Sequence, residues 1–332
     1  MLPLHEFECK FVIVGNKKGD IVNFIPQGYT IDLVKIHNIW DFTTFRIHSL
    51  IKREKPYAVF CSLMYLNSRV ALAGHFAGVR VILRNCNYMS VTRWDQKLMC
   101  KLAYPYADVI ISQQEEMADD IVKEIGVPIG KIVTLHNPID AETINAKLQG
   151  VSNPYPQDKQ TNFVWVGRVN HQKGQDIAVR AFAMMHNKVD NAHLYLVGKY
   201  DKNSEYVNSL FELIKEFKIQ GQVHFIGFDS NPYRWVKFAD CFVLPSRIEG
   251  LPNTLIEAQY LGCPAAASKC IPIIERILSD GVNGYLAETE NPESLANAME
   301  KAVTLGRIDM TYKSATKEDF IKLFMYNSSL VL

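Results

Sequence analysis

The 332-residue sequence has no run of about 18 apolar residues, so no segment reads as a membrane-spanning helix. Its opening, MLPLHEFECK, lacks a basic stretch followed by an apolar core and does not read as a secretory leader. The cysteine count is odd, and no pair among Cys9, Cys61, Cys86, Cys100, Cys241, Cys263 and Cys270 has C-x-x-C spacing. With several in apolar runs such as 240–244 (DCFVL), a disulfide framework or zinc knuckle is excluded, and free thiols in a reducing compartment are expected. Charge of one sign is also missing. A net charge of +1 gives no field to hold nucleic acid, and the small clusters Lys17-Lys18 and Lys52-Arg53-Lys55 read as solvated surface. Neither G-x-G-x-x-G nor G-x-x-x-x-G-K-[ST] occurs, which argues against a nicotinamide enzyme and a Walker-type nucleotidase. These absences leave a cytoplasmic chain, at most peripheral at the inner face of the plasma membrane.

What is present is a globular composition, 48% apolar and 21% charged, in a chain long enough for two domains. Short β-branched runs alternate with helical patterns from end to end. Strands are expected at 10–14, 31–36, 57–61, 79–83, 108–112 and 131–135, with helices near 41–54, 67–77, 92–105 and 113–125. A polar stretch, 149–161 (QGVSNPYPQDKQT), reads as a linker. The alternation then restarts with strands at 162–166, 193–197, 222–226, 240–244 and 264–268. Helices fall near 173–186, 204–217, 231–238, 253–261, 272–279 and 293–304. Such alternation predicts an α/β fold, two Rossmann-like domains whose parallel sheets face a cleft. The expected division is 1–150, 151–310 and a C-terminal helix or tail, 311–332. Ligands of these sheets bind beyond the carboxyl ends of the strands.

Two loops there carry chemistry. In 163–174 (FVWVGRVNHQKG) a strand ends, Gly167 permits a tight exit, and Arg168 and Lys173 flank the turn into a helix. Cations beside a helix N-terminus suit a phosphate or diphosphate, Arg168 as a fork and Lys173 as a mobile point charge. The bland alternative is a solvated loop. In 245–264 (PSRIEGLPNTLIEAQYLGCP) a strand runs into a turn and a helix starts near Asn253. Gly250 allows close backbone approach, and free N–H groups at 253–255 favour an anion. Glu249 and Glu257 are eight apart, and a carboxylate at such a place can accept bonds from vicinal hydroxyls. Their bland readings are a turn acid and a surface helix glutamate.

Together, Glu249 and Glu257 inside PSRIEGLPNTLIEAQYLGCP resemble the E-x7-E motif of retaining GT-B glycosyltransferases, above all the large family four, the group 1 enzymes of bacterial polysaccharide and glycolipid synthesis. FVWVGRVNHQKGQDIAVRAF resembles the opening of that family's donor domain. So do HLYLVG, QVHFIG and DGVNGYL, in the expected order, and 107–140 resembles the end of its acceptor domain.

The resemblance implies a GT-B fold, with an acceptor-binding first domain and a nucleotide-sugar-binding second. It implies that Arg168 and Lys173 hold the donor diphosphate and stabilise the leaving group, and that Glu249 bonds the donor sugar. Gly167 belongs to the strand exit, while the backbone of Gly250 and Leu251 lies against the sugar. Asn253 and Thr254 open the helix that receives the diphosphate, Glu257 binds the ribose, and Gly227 and Phe228 flank the base. The activity implied is transfer of a sugar, with retention, from a nucleotide-diphosphate donor to a glycan or polyprenol-linked glycan. Family frequency favours a UDP-sugar, then GDP-mannose. No D-x-D triplet is present to seat a metal at the diphosphate, so no metal cofactor is expected.

The sequence departs from the family in three places. The opening resembles the second strand of the fold, so about 30 residues of the usual pattern, with a central strand and a Gly-Gly loop, are expected to be missing. Either the true start lies upstream or the form is truncated. In the latter case a donor-binding pseudoenzyme acting on a partner is the alternative. At 82–90 (ILRNCNYMS), Asn85 and Asn87 stand where many relatives carry a histidine; the functional reading is acceptor-side bonding by these asparagines, and the bland alternative is a polar loop after a strand that needs no function. The segment 314–332 is short for the helix that crosses back to the first domain, and His136 reads as a hinge residue.

Overall fold

The computed structural model describes residues 8–14, 30–34, 43–156, 159–312 and 315–325. The Lys17-Lys18 cluster and most of the opening segment lie outside them, as do the first residues of the helix expected from 41 and the end of the strand expected at 31–36. The chain divides into two units, one running to Pro138 and resuming at Ala315, the other from Ile139 to Ser314.

In the first unit, strands β1 (Lys10–Val14) and β2 (Thr30–Val34) form a parallel pair. Helix α1 (Thr43–Glu54) follows, and a second parallel sheet is built from β3 (Ala58–Cys61), β4 (Arg80–Asn85), β5 (Val109–Ser112) and β6 (Ile132–Thr134) in sequential order. Between these strands lie α2 (Met64–Ala77), α3 (Trp94–Ala103) and α4 (Glu115–Ile125). Alternation along the strands assigns the faces. Val81, Leu83 and Ile110 pack with α2 and α4, whereas Ile82, Val109 and Ile111 point to the other side. That second face is covered by α12 (Lys317–Met325), whose Leu323 is buried there and whose Phe324 meets Phe60. The segment expected to be short for a returning helix thus does form one. Helix α4 has the grammar of a surface helix: acids at Glu115 and Glu116, Met117, Ala118, Ile121 and Ile125 buried, and Gly126 in the left-handed region to stop it.

The second unit opens with a helix that the sequence reading passed over, α5 (Ala141–Leu148), capped by Asp140, whose carboxylate accepts from the Thr143 N–H at 3.0 Å. Its ties run within this unit: Asn145 Nδ2 donates to Tyr260 Oη at 2.9 Å and Lys147 Nζ to the Ser230 carbonyl at 2.9 Å. The division therefore falls at 138 rather than at the polar stretch near 150. Six parallel strands follow: β7 (Thr161–Val166), β8 (Ala192–Val197), β9 (Val223–Gly227), β10 (Cys241–Leu244), β11 (Ala265–Ser268) and β12 (Gly284–Ala287). Their order in the sheet is β12-β11-β10-β7-β8-β9. One face, with Phe163, Trp165, Leu194, Leu196 and Val243, is covered by α6 (Gln175–Met185), α7 (Glu205–Glu216) and α11 (Pro292–Ala302). Val164, Tyr195, Phe242 and Leu244 face α8 (Tyr233–Phe238), α9 (Asn253–Tyr260) and α10 (Ile273–Ile277). Burying each such Leu, Val or Phe contributes about 1.5–3 kcal/mol, and a sheet apolar on both faces needs both helical layers.

Candidate functional site

The second sheet changes direction between β7 and β10. Successive strands run outward from β7 through β8 to β9, and outward from β10 through β11 to β12. The loops at the carboxyl ends of β7 and β10 diverge to opposite faces and leave a crevice, the usual ligand position in such sheets. Both motifs singled out from the sequence occupy these two loops.

After Val166, Asn170 caps a single 3-10 turn, His171–Lys173, with its Oδ1 accepting from the Lys173 N–H at 3.1 Å. Gly174 then starts α6 with φ 69°, and a Cβ there would lie 2.1 Å from the Pro245 carbonyl oxygen. Only glycine lets the two loops press together here. They are stitched by the Arg247 N–H on the Gln172 carbonyl, 2.9 Å, and by Gln172 Nε2 on the Ile248 carbonyl, 3.2 Å.

The contact brings Lys173 onto Glu249. Lys173 Nζ donates to both carboxylate oxygens at 2.7 Å, and Ser246 Oγ donates to Oε1 at 2.7 Å. The Glu249 side chain is 6% exposed and that of Lys173 27%. The lysine expected as a mobile charge is therefore held in place, with its partner almost out of water. Ser268, at the end of β11, donates to the Ser246 carbonyl at 2.6 Å and fixes the support beneath. The nearby Cys270 thiol is pushed up to about 12 by burial and by the Glu249 carboxylate, so it stays protonated.

Arg168 is exposed, and its guanidinium makes no hydrogen bond or ion pair among the described residues. Beside it, Gly167 and Gly198 meet so closely that a Cβ on Gly198 would lie 1.6 Å from the Gly167 carbonyl oxygen. Gly227 closes the row, its carbonyl accepting from the Gly198 N–H at 2.8 Å, and Phe228 stands exposed just beyond. At the start of α9, two of the three N–H groups expected to be free are engaged: Asn253 donates to the Leu251 carbonyl and Leu255 to that of Pro252, each at 2.9 Å. The Thr254 N–H donates to no described backbone carbonyl. Gly250 sits between Glu249 and Leu251, and the Leu251 side chain is buried in the sheet's second core.

Glu257 is no surface glutamate. It is half-buried, accepts from the Tyr233 hydroxyl, and burial pushes its carboxyl up to about 7 against the opposing pull of Tyr233 and the Lys147 ammonium. In the first unit, Asn85 corrects the reading from sequence. It is fully buried, accepts from Tyr104 Oη at 3.2 Å and donates to the Asn87 carbonyl, so its amide serves the interior. Asn87 alone of the two is exposed.

Sequence reasoning quoted Ser246 and Arg247 but gave them no part. Arg247 clasps Asp176 at the start of α6 through two bonds of 2.9 and 2.8 Å and reaches Glu290 at 2.7 Å. Tyr206 Oη adds a 2.7 Å bond to Asp176. Burial would raise the Asp176 carboxyl, but Arg247 and Tyr206 outweigh it and hold it below the usual range. The Arg…Glu spacing in SRIEG and the acid three residues after Lys173 were the available signals.

A family model described as glycosyl transferases group 1 matches residues 152–319, half of the chain, and the chain belongs to that family. An N-acetylgalactosamine-N,N'-diacetylbacillosaminyl-diphospho-undecaprenol 4-alpha-N-acetylgalactosaminyltransferase of Campylobacter jejuni is 26% identical over 75% of this chain and 67% of its own length. A UDP-Gal:alpha-D-GlcNAc-diphosphoundecaprenol alpha-1,3-galactosyltransferase of Escherichia coli is 23% identical over 90% of this chain and 81% of its own. An uncharacterized glycosyltransferase of Methanocaldococcus jannaschii is 35% identical over 52% of this chain, which spans only 42% of that relative. Among solved structures, Anabaena HepE in complex with UDP has a TM-score of 0.73 at 17% identity, covering 89% of this chain and 84% of that one. The fold is GT-B.

Proposed function

We propose that this chain is a retaining, metal-independent hexosyltransferase that moves a sugar from a UDP-sugar to a lipid-linked glycan at the cytoplasmic face of the membrane. The second unit takes the donor and the first the acceptor. The observation that carries the reading is the Lys173–Glu249 pair at the crevice of the second sheet, with the exposed Arg168, whose guanidinium has no partner among the described residues, in the same loop as Lys173.

The chemistry follows from where charge develops. When the sugar leaves, negative charge collects on the diphosphate and positive character on the anomeric carbon. Arg168 and Lys173 face the first, with the Thr254 N–H at the head of α9, and preorganised charge of this kind is often the largest single contribution to catalysis. These groups would do without a metal what a bound cation does elsewhere. Glu249, held by Lys173 and Ser246, presents an acceptor to sugar hydroxyls, and Glu257, when ionised, presents one to a ribose. Exposed Phe228 offers a face to the base. The Campylobacter and Escherichia relatives, by their names, act on diphospho-undecaprenol-linked sugars, and HepE was solved with UDP, which supports the choice of acceptor and donor class. The intact set Arg168, Lys173, Glu249 and Glu257 speaks against a degenerate relative.

The test is incubation of the full chain with UDP-sugars and an undecaprenyl-diphosphate-linked glycan, with EDTA present and the product read by NMR. A product with the donor's anomeric configuration is expected. Inversion, or a strict need for added metal, contradicts the mechanism, and turnover with GDP-mannose alone contradicts the donor.

A further inference from the structure

Phe228 is 72% exposed in the turn that follows β9. A single exposed aromatic ring is ordinary. The residue directly behind it is not, because Asp229 is only 12% exposed and every side of its carboxylate is in use. Oδ1 accepts from the Asn231 N–H at 2.8 Å. Oδ2 accepts from Trp235 Nε1 at 2.8 Å and from Arg234 twice, Nε at 3.0 Å and Nη2 at 2.7 Å. Burial would raise this carboxyl, but the three partners outweigh it and hold it below the usual range, so Asp229 stays ionised at neutral pH.

The anchor beneath is itself fixed. Trp235 is buried in the sheet's second core, and its carbonyl accepts from Tyr155 Oη at 2.6 Å, with the two rings edge to face at 5.3 Å. The turn is also tied to the end of α5. Asn231 Nδ2 donates to the Lys147 carbonyl at 2.7 Å, and Lys147 Nζ returns to the Ser230 carbonyl at 2.9 Å. Three successive residues of α8 thus reach the groups assigned to ribose and base. Tyr233 bonds Glu257, while Arg234 and Trp235 bond the neighbour of Phe228.

We propose that Asp229 is a positioning residue for the donor's base: tied to Arg234 and Trp235, it holds the turn so that the Phe228 ring stands ready as a stacking face. The proposal rests on the donor reading above and deepens it. Asp229 touches no ligand. Its effect precedes binding, because a ring on an untied turn would have to be ordered as the base arrives, and that lost freedom would be subtracted from the affinity. An aspartate that only closed the turn would matter to stability and to every ligand of the crevice alike. One that acts through Phe228 matters to ligands that carry a base.

The test is calorimetric titration of the full chain with UDP and with inorganic pyrophosphate, which has no base. The variants are Phe228→Ala, Asp229→Ala, their double, and Trp235→Phe, which keeps a ring in the core and removes one bond to Asp229, so that a poorly folded Asp229→Ala does not end the test. Phe228→Ala and Asp229→Ala should each bind UDP about tenfold more weakly, and Trp235→Phe about threefold, while pyrophosphate binds all of them within about twofold of the parent. The double variant should bind UDP no more weakly than Phe228→Ala, because Asp229 acts through that ring. Unchanged UDP binding in the single variants, equal losses for UDP and pyrophosphate, or additive losses in the double variant would each overturn the proposal. A folded parent that binds no UDP would overturn the donor reading itself, and this proposal with it.

Discussion

Lys173 Nζ lies 2.7 Å from each carboxylate oxygen of Glu249, one side chain from the loop after β7 and the other from the loop after β10. The pair ties together the two loops that border the crevice, and its members differ in access to water. Lys173 keeps a partial route to solvent, whereas Glu249 has almost none. Removing the lysine leaves a carboxylate buried with Ser246 as its remaining hydrogen-bond partner among the described residues. Lys173→Ala should therefore cost about 2–4 kcal/mol of stability. Glu249→Gln keeps the Ser246 bond and lets the lysine reach water, so it should cost nearer 1 kcal/mol. Urea unfolding of both variants checks this order, and a larger loss for Glu249→Gln would contradict it.

The same pair bears on turnover. In the proposed mechanism Lys173 acts on charge that peaks as the nucleotide departs, so Lys173→Ala should lower kcat by about 10²–10³ and donor affinity far less. Steady-state kinetics beside donor titration separates the two. Equal losses in kcat and affinity would make Lys173 a ground-state ligand only.

Glu257 predicts a pH dependence. Its carboxyl is raised to about 7, above the ordinary 4.5, so between those values the folded chain binds more protons than the unfolded one. Stability from this group is complete below pH 4.5 and declines as pH rises to 7. Glu257→Gln should thus stabilise the chain at pH 8, by about 1–2 kcal/mol, and do little at pH 4.5. Ribose hydroxyls need the ionised form, so UDP-glucose, whose diphosphate diester has no proton to lose near neutrality, should bind more tightly as pH climbs from 6 to 8. The gain should vanish in Glu257→Gln. Affinity that is flat with pH in the parent would remove the ribose role.

An opposite trend is expected from two histidines on adjacent strands. His193 Nδ1 lies 2.9 Å from His224 Nε2, with ring planes 19° apart and centroids 5.2 Å apart. The centroid distance exceeds the nitrogen distance by about two ring radii, so the imidazoles lie end to end and share one N–H···N bond. Burial lowers both titrations, with His193 adding to the effect on His224. Stability from this pair is present above the ordinary histidine range and is lost as pH falls through and below it. His193→Gln should flatten the acid limb of a stability profile between pH 5 and 7. An unchanged limb would show that the pair is not responsible.

Arg247 holds Asp176 as a two-pronged clasp beside the crevice. Arg247→Ala and Asp176→Ala should each lower stability, and the double variant should lose less than their sum, with a coupling of about 1–3 kcal/mol. Strict additivity in a double-mutant cycle would show that the clasp carries no joint energy.

Much of this architecture could be read from residue order. Alternating runs announced the parallel sheets, and the spacing of Lys173, Glu249 and Glu257 marked the loops that the fold brings together. Pairing was harder to read, because 76 residues separate Lys173 from Glu249, and their contact depends on the backbone approach that Gly174 permits. Helix α5 was hidden by the polar stretch after it, although Asp140 and Thr143 carry a capping signal. Asn85 looked like a ligand because a polar residue at a strand end is ambiguous until its burial and its bond with Tyr104 are known.

The central claim is that the second unit holds a nucleotide diphosphate between Arg168, Lys173 and the head of α9, with Glu257 on the ribose. Calorimetric titration of the full chain with UDP and GDP, repeated on Arg168→Ala and Glu257→Ala, tests it most directly. The account predicts one site that prefers UDP and loses about tenfold or more in affinity in each variant. A folded chain that binds neither nucleotide, or binds UDP equally well in both variants, would contradict it.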